Sequence, residues 1–220
     1  RAAEAAALAK LAFEAPVLDL GCGDGLFASL FFGGPMAVGI DRSERQARRA
    51  LASGGYRHVV VTDAAGLPFA AGSFATVFSN CVLEHIADLT PVMAEVGRVL
   101  RPGGTFVFTV TSGRFDDYLW GVPWLRAHGL AGLGRRWARL INGVFGHRHC
   151  DGPAVWAERL AGAKMRLLQY EEIVPCPAEG LWTLLLPVSA LQMAVQRLGR
   201  RPDAAWRKAG VPLWRALAAG

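Results

Sequence analysis

Three polar side chains in the first half of the chain each end a short apolar run: Asp41 after VGI, Asp63 after VVVT and Asn80 after VFS. An ionised carboxylate only accepts hydrogen bonds, which suits it to the paired hydroxyls of a diol or to an amino group. A fourth run opens VLDLGCGDGLFASL, Val17 to Leu30, where Asp19 and Asp24 flank a loop made of Gly21, Cys22, Gly23 and Gly25. Glycines at that density let a ligand approach the backbone closely. A phosphate loop needs G-x4-G-K-S/T, which does not occur here. The dinucleotide fingerprint G-x-G-x-x-G is not met either, because Leu26 stands where its third glycine belongs. Asp41 does not discriminate, since any ribose diol is served by such a carboxylate. By itself the loop leaves open a bound ligand or merely a tight turn from strand to helix.

His85, in LEHI just beyond the run that ends at Asn80, is the candidate general base; a packing role is the competing reading. His147, His149 and Cys150, beside Asp151, have no partner pair elsewhere, so no metal site is expected. Cys22, Cys81, Cys150 and Cys176 form no C-x-x-C pair, which points to free thiols in a reducing, cytoplasmic compartment.

Elements that could position these residues follow from the apolar pattern. Val17–Leu20, Met36–Ile40, His58–Thr62, Phe74–Ser79 and Thr105–Thr111 read as buried strands. Helices are expected over Ala2–Phe13, over Leu26–Phe32, and over ERQARRALA with Ser43 as cap and Gly54 as stop. Another runs from Thr90, as cap before Pro91, to Leu100, and a last one over Pro153–Ala161. Arg101–Gly104 reads as a turn, and Met165–Val174 as a sixth strand. Strands alternating with helices predict an α/β domain, a doubly wound, mostly parallel sheet with helices on both faces and a helical insertion after strand five. In that architecture the strand tips carrying Gly21, Asp41, Asp63 and Asn80 face one crevice.

The order DLGCGDG, VGIDRS, VTDAAGLPFAAGSFATVFSNCVLEHI and EVGRVLRPGGTFVFTV resembles the class I S-adenosylmethionine-dependent methyltransferases, in the type 11 subgroup related to ubiquinone and menaquinone biosynthesis enzymes. The resemblance covers about residues 15–111 and extends weakly to GPAVWAERLAGAK. It implies S-adenosylmethionine as cofactor, with the Gly21–Gly25 loop against the methionine part and Asp19 ordering that loop and facing the cofactor's amino group. Asp24 stands where relatives often have a hydroxyl residue. Asp41 is implied to hold the ribose hydroxyls and Asp63, with the backbone of Ala64, the adenine amino group. Arg42 and Leu67 flank the ring, and Asn80 adds backbone contacts near the methionine carbons.

Charge divides the chain unevenly. Residues 1–112 carry nine basic against ten acidic side chains, residues 113–220 fifteen against eight. The expected organisation is a cofactor-binding core over 1–111, a lid or substrate insertion over 112–152, completion of the α/β domain over 153–180, and an apolar, basic appendage over 181–220. Within that appendage Leu181–Val195 is uncharged but, at fifteen residues with Pro187 inside, shorter than the roughly 20 a spanning helix needs. The expected partner is a small-molecule or lipid-like methyl acceptor; 181–220 reads either as a core helix with a seventh strand or a dimer face, or as a peripheral membrane contact. No Asn-Pro-Pro-Tyr or Asp-Pro-Pro-Tyr follows strand four, where Ser79-Asn80-Cys81-Val82 stands, which argues against methylation of nucleic-acid base amines. The competing class is a cofactor-binding protein without transferase activity that acts through a partner, with an RNA methyltransferase as the weaker alternative.

Overall fold

The computed structural model of the chain describes residues 2–173; the run Leu181–Val195 and the whole appendage 181–220 lie outside the described residues. Five strands form one parallel sheet: β1 (Val17–Leu20), β2 (Met36–Asp41), β3 (Tyr56–Val61), β4 (Phe74–Asn80) and β5 (Leu100–Thr109). Their spatial order is β3-β2-β1-β4-β5. The chain therefore winds outward from β1 to β3, then crosses back to lay β4 on the other side of β1. Loops leaving β1 and β4 run in opposite directions, which opens a crevice at their carboxyl ends.

Side chains alternate between the two faces of the sheet, and this divides the core. Leu18, Leu20 and Val77 pack with Val92 and Val96 of α4 (Thr90–Val99) and with Trp156 and Leu160 of α8 (Pro153–Gly162). Their neighbours Val17, Phe78 and Val107 face the other way, against Leu8 of α1 (Ala2–Leu8), Ala28 of α2 (Leu26–Phe31) and Ala50 of α3 (Glu44–Ala52). Both layers bury the sheet, so β1 and β4 read as continuous apolar runs rather than alternating ones.

Several expected boundaries shift for physical reasons. The first helix ends at Leu8 instead of Phe13, because the Phe13 ring drops among Phe31, Phe32 and Phe78, with centroids 5.8, 5.0 and 5.6 Å away. Thr90 is the first residue of α4 rather than its cap; the Asp88 carboxylate accepts the Thr90 N–H at 2.9 Å and does the capping. Ser43 caps α3 as expected, accepting the Gln46 N–H. Arg101–Gly104 is no turn ahead of a strand but a bulge within β5: Phe74 pairs with Leu100 and Thr76 already with Thr105. That strand ends at Thr109, two residues early. The expected sixth strand does not form among the described residues 165–173; Met165 and Leu167 pack against the core without a ladder partner.

After β5 the chain forms α5 (Phe115–Tyr118), α6 (Val122–Ala127) and α7 (Ala131–Phe145). Gly134 of α7 sits 3.6 Å, measured from where a Cβ would be, from the Val122 side chain, so α6 and α7 pack closely as a hairpin. No helix among the described residues is long and apolar enough to cross a membrane.

Candidate active site

The glycine loop leaves β1 with Gly21, Gly23 and Gly25 all at positive φ (+82°, +56° and +78°), a conformation in which a side chain is strained. Their surroundings differ. A Cβ on Gly21 would meet Val82 at 2.5 Å, and one on Gly25 would meet Ala50 Cα of α3 at 2.8 Å. Gly23 has no atom within 4 Å of that position. Gly21 and Gly25 thus let the loop pack down, whereas Gly23 presents bare backbone to open space.

That space is a crevice of about 1330 Å³ at the carboxyl ends of the strands. Asp19, the loop residues from Gly21 to Asp24, Asp41, Arg42, Asp63, Ala64, Asn80 and His85 all line it. Gly25, behind the loop, packs on α3 instead of lining it. Leu67 is the other departure. Its side chain is buried in the core, its N–H donates to Glu95 at 2.7 Å, and its carbonyl accepts from Arg98 at 2.9 Å. An apolar residue in a loop beside packed helices gains more from burial than from flanking a ligand.

Asp41 is the most firmly held of the carboxylates. One oxygen accepts the Gly23 N–H at 3.0 Å and the other accepts the Ser43 N–H at 2.7 Å. Each oxygen keeps a lone pair, so the tip of β2 presents two fixed acceptors beside the glycine loop. Asp63, at the tip beyond β3, accepts the Ala65 N–H at 2.9 Å, which turns the chain there. Asp24 similarly accepts the Leu26 N–H at 3.2 Å. Asn80 Oδ1 accepts from the Thr109 hydroxyl, tying the tips of β4 and β5 together.

Asp19 is buried, and the Tyr56 hydroxyl donates to it at 2.5 Å. Tyr56 was not legible as a site residue. Its ring reaches Asp19 because Gly39, between them in the sheet, has no side chain: a Cβ there would meet the ring at 2.9 Å. Burial pushes the Asp19 carboxyl up; the Tyr56 hydrogen bond opposes this and the Asp41 charge adds to it, leaving it at about 7. The folded chain therefore holds this proton more tightly than the unfolded chain, whose aspartates titrate near about 3.9. Stability from Asp19 is full below about pH 4 and is lost as the pH rises through about 7, on the order of 4 kcal/mol in all. Urea titrations of wild type and Asp19→Asn across that window should show the wild type losing stability relative to the variant as pH rises. Parallel pH profiles would contradict the assignment.

His85 lies in the 3-10 turn Leu83–His85 after β4. Its Nδ1 is 3.2 Å from the Gly146 carbonyl, an acceptor, so Nδ1 carries the proton in the neutral ring. Nε2 is then left with its lone pair free, on a side chain lining the crevice. The loop beyond α7 is fastened to the same turn, as the N–H groups of Arg148 and His149 both donate to the Glu84 carbonyl, at 2.7 and 3.3 Å. This brings Arg148, which sequence patterns did not mark, to the wall of the crevice. His147 is set back from it. Its Nδ1 faces Asn142 Oδ1 at 3.0 Å and its Nε2 faces Thr111 at 3.4 Å, and burial, reinforced by His85, pushes it down to about 4. His149 contacts Arg159 at 3.2 Å. Among the described residues no group of three or more His, Cys, Asp or Glu side chains could hold a metal ion. Burial pushes the Cys22 and Cys81 thiols up to about 12, so neither is a ready nucleophile.

Against known proteins, the family model for a methyltransferase domain matches residues 18–108. Residues 18–108 are a methyltransferase domain. Malonyl-[acyl-carrier protein] O-methyltransferase of Legionella pneumophila is 35% identical over 99 residues, 42% of this chain and 35% of that protein. Ubiquinone biosynthesis O-methyltransferase of Mesorhizobium japonicum is 29% identical over 180 residues, 76% of this chain and 66% of that one. The chain spans 35%, 45% and 39% of the first three curated relatives it matches. A Thermotoga maritima S-adenosylmethionine-dependent methyltransferase, described as a possible histamine N-methyltransferase, shares the fold with a TM-score of 0.57 at 21% identity, over 74% of this chain and 69% of that one. The match over residues 18–108 and the all-parallel sheet give that segment the sequence pattern and the fold of S-adenosylmethionine-dependent methyltransferases. The crevice suits that cofactor's chemistry. Beside the buried Asp19, four aspartates line it, Asp24, Asp41, Asp63 and Asp88, against two arginines, Arg42 and Arg148. That excess of negative charge favours a ligand carrying a sulfonium and an ammonium.

Proposed function

We propose that this chain binds S-adenosylmethionine in the crevice and transfers its methyl group to a small-molecule or lipid-like acceptor. The observation that carries the proposal is Asp41, which lines the crevice beside bare Gly23 with one oxygen held by an amide of the glycine loop and the other by the Ser43 amide at the cap of α3. In this reading Asp41 accepts from the ribose hydroxyls and Asp63 from the adenine amino group, with Ala64 and Arg42 beside the ring. Asp19 and the Gly21–Gly25 loop receive the methionine end, and Asn80 lies near its carbons.

When bound, the cofactor supplies a methyl group already activated by its sulfonium, so the chain has little covalent chemistry to perform. Its task is to align the acceptor and exclude water. His85 Nε2 takes the proton that a hydroxyl acceptor must lose, and the Gly146 carbonyl holds the ring in the tautomer that can do so. Both of these curated relatives are named O-methyltransferases, which supports an oxygen acceptor. Residues 112–152 cover the acceptor side, since the loop beyond α7 ends on Glu84, next to His85.

The test is transfer of labelled methyl from S-adenosylmethionine to a panel of hydroxylated metabolites and lipids. Incorporation that requires the folded chain supports the reading; cofactor binding without transfer to any acceptor would favour a binding protein that acts through a partner. For an active acceptor, His85→Gln should lower kcat by roughly 10²–10⁴ while leaving cofactor affinity within threefold. An unchanged kcat would remove His85 from the reaction.

A further inference from the structure

Away from the crevice, the hairpin of α6 and α7 exposes a surface that the proposed chemistry does not use. From Trp120 to Gly146 the charged side chains are Arg126, Arg135, Arg136 and Arg139, with no aspartate or glutamate among them. Arg126 is paired with Asp117 at 2.7 Å. The other three are exposed, with no ion pair or hydrogen bond from their side chains among the described residues. The same stretch exposes large apolar side chains: Trp120 and Trp124 at 59% each, Leu140 at 58%, Leu133 at 50% and Val144 at 47%. On α7, Leu133, Leu140 and Val144 recur at seven and four residues and form one stripe, while Gly134, Ala138 and Ile141 turn another side inward. Arg136 lies one turn from both Leu133 and Leu140 and so borders the stripe.

Charge decides between the possible occupants. A second copy meeting the same face about a two-fold axis would set these arginines against one another, with no carboxylate on the hairpin to offset them. A nucleic acid would accept the arginines but leave the aliphatic stripe in water. An anionic bilayer satisfies both groups: leucine and tryptophan enter the boundary between headgroup and acyl chain, Arg136 reaches the phosphates with its stem along the apolar stripe, and Arg135 and Arg139, farther round α7, add long-range attraction to the anionic surface. We propose that the α6–α7 hairpin docks on an anionic lipid surface. The proposal is independent of the methyl-transfer reading, and it concerns a different part of the chain from 181–220.

The test uses the full chain and vesicles of phosphatidylglycerol and phosphatidylcholine in equal parts, against pure phosphatidylcholine. Wild type should sediment with the anionic vesicles, less so at high salt, and hydrogen exchange should slow across residues 120–145 when they are added. Arg135→Gln, Arg136→Gln and Arg139→Gln combined should weaken partitioning roughly a hundredfold, from about fivefold per charge. Leu133→Ser with Leu140→Ser should weaken it also, and both variants should retain the wild-type circular dichroism because the altered side chains are exposed. The proposal is overturned if wild type ignores anionic vesicles or binds both kinds equally. It also fails if exchange over 120–145 is unchanged, or if both variants partition like wild type, which would assign the binding to the rest of the chain. A dimer lost in the variants while vesicle partitioning persists would assign this face to a second copy.

Discussion

Replacing Asp41 with alanine is expected to weaken S-adenosylhomocysteine binding by roughly 10²–10⁴-fold, because hydrogen bonds to a charged acceptor contribute about 1.5–3 kcal/mol each. Two such bonds to ribose hydroxyls are lost directly. The variant also frees the Gly23 and Ser43 amides that now donate to the carboxylate at 3.0 and 2.7 Å, so the glycine loop and the start of α3 lose a shared anchor. Asp41→Asn keeps one acceptor oxygen and should fall between wild type and alanine. Calorimetric titration of the three proteins measures this. An alanine variant within threefold of wild type would show that β2's tip does not hold the ligand.

Gly25→Ala should damage the fold rather than the site. The residue adopts φ +78°, costing about 1–2 kcal/mol once a Cβ is present. That Cβ would also stand 2.6 Å from Ser53 Oγ and 2.8 Å from Ala50 Cα. The serine hydroxyl can turn aside, but the α3 backbone cannot, and forced overlap in a packed region costs about 1–3 kcal/mol more. The sum corresponds to a melting temperature lower by about 10 °C for a domain of this size. Gly23→Ala is the useful contrast. Its Cβ meets nothing in the protein, so the folding cost is the φ term alone, while cofactor affinity falls because the methyl group occupies ligand space. Scanning calorimetry paired with binding separates the two glycines. Equal effects of both on stability would contradict the division of roles.

The crevice was legible in the sequence because each central strand is a short apolar run stopped by glycine, aspartate or asparagine, and a parallel sheet brings those stops to one edge. Gly21, Asp41, Asp63 and Asn80 all line it for that reason. What escaped the sequence depends on long-range pairing. Tyr56 reaches Asp19 only through the register of β1, β2 and β3 and the missing side chain at Gly39. Arg148 arrives through a backbone bond to Glu84, far away in sequence. Leu67 carried no local sign that it would turn into the core. The expected sixth strand shows the same limit: alternating apolar residues at 165 and 167 satisfy packing alone, and a strand also needs a neighbour to pair with.

The central claim is that the carboxyl edge of the sheet, at β1, β2 and the turn beyond β3, holds the cofactor. Amide chemical shifts of the wild-type chain, recorded while S-adenosylhomocysteine is added, test it most directly. Saturable shifts centred on Gly21, Gly23, Ser43, Ala64 and Ala65 are the predicted result. No saturable shifts, or shifts centred on the α6–α7 hairpin instead, would contradict it.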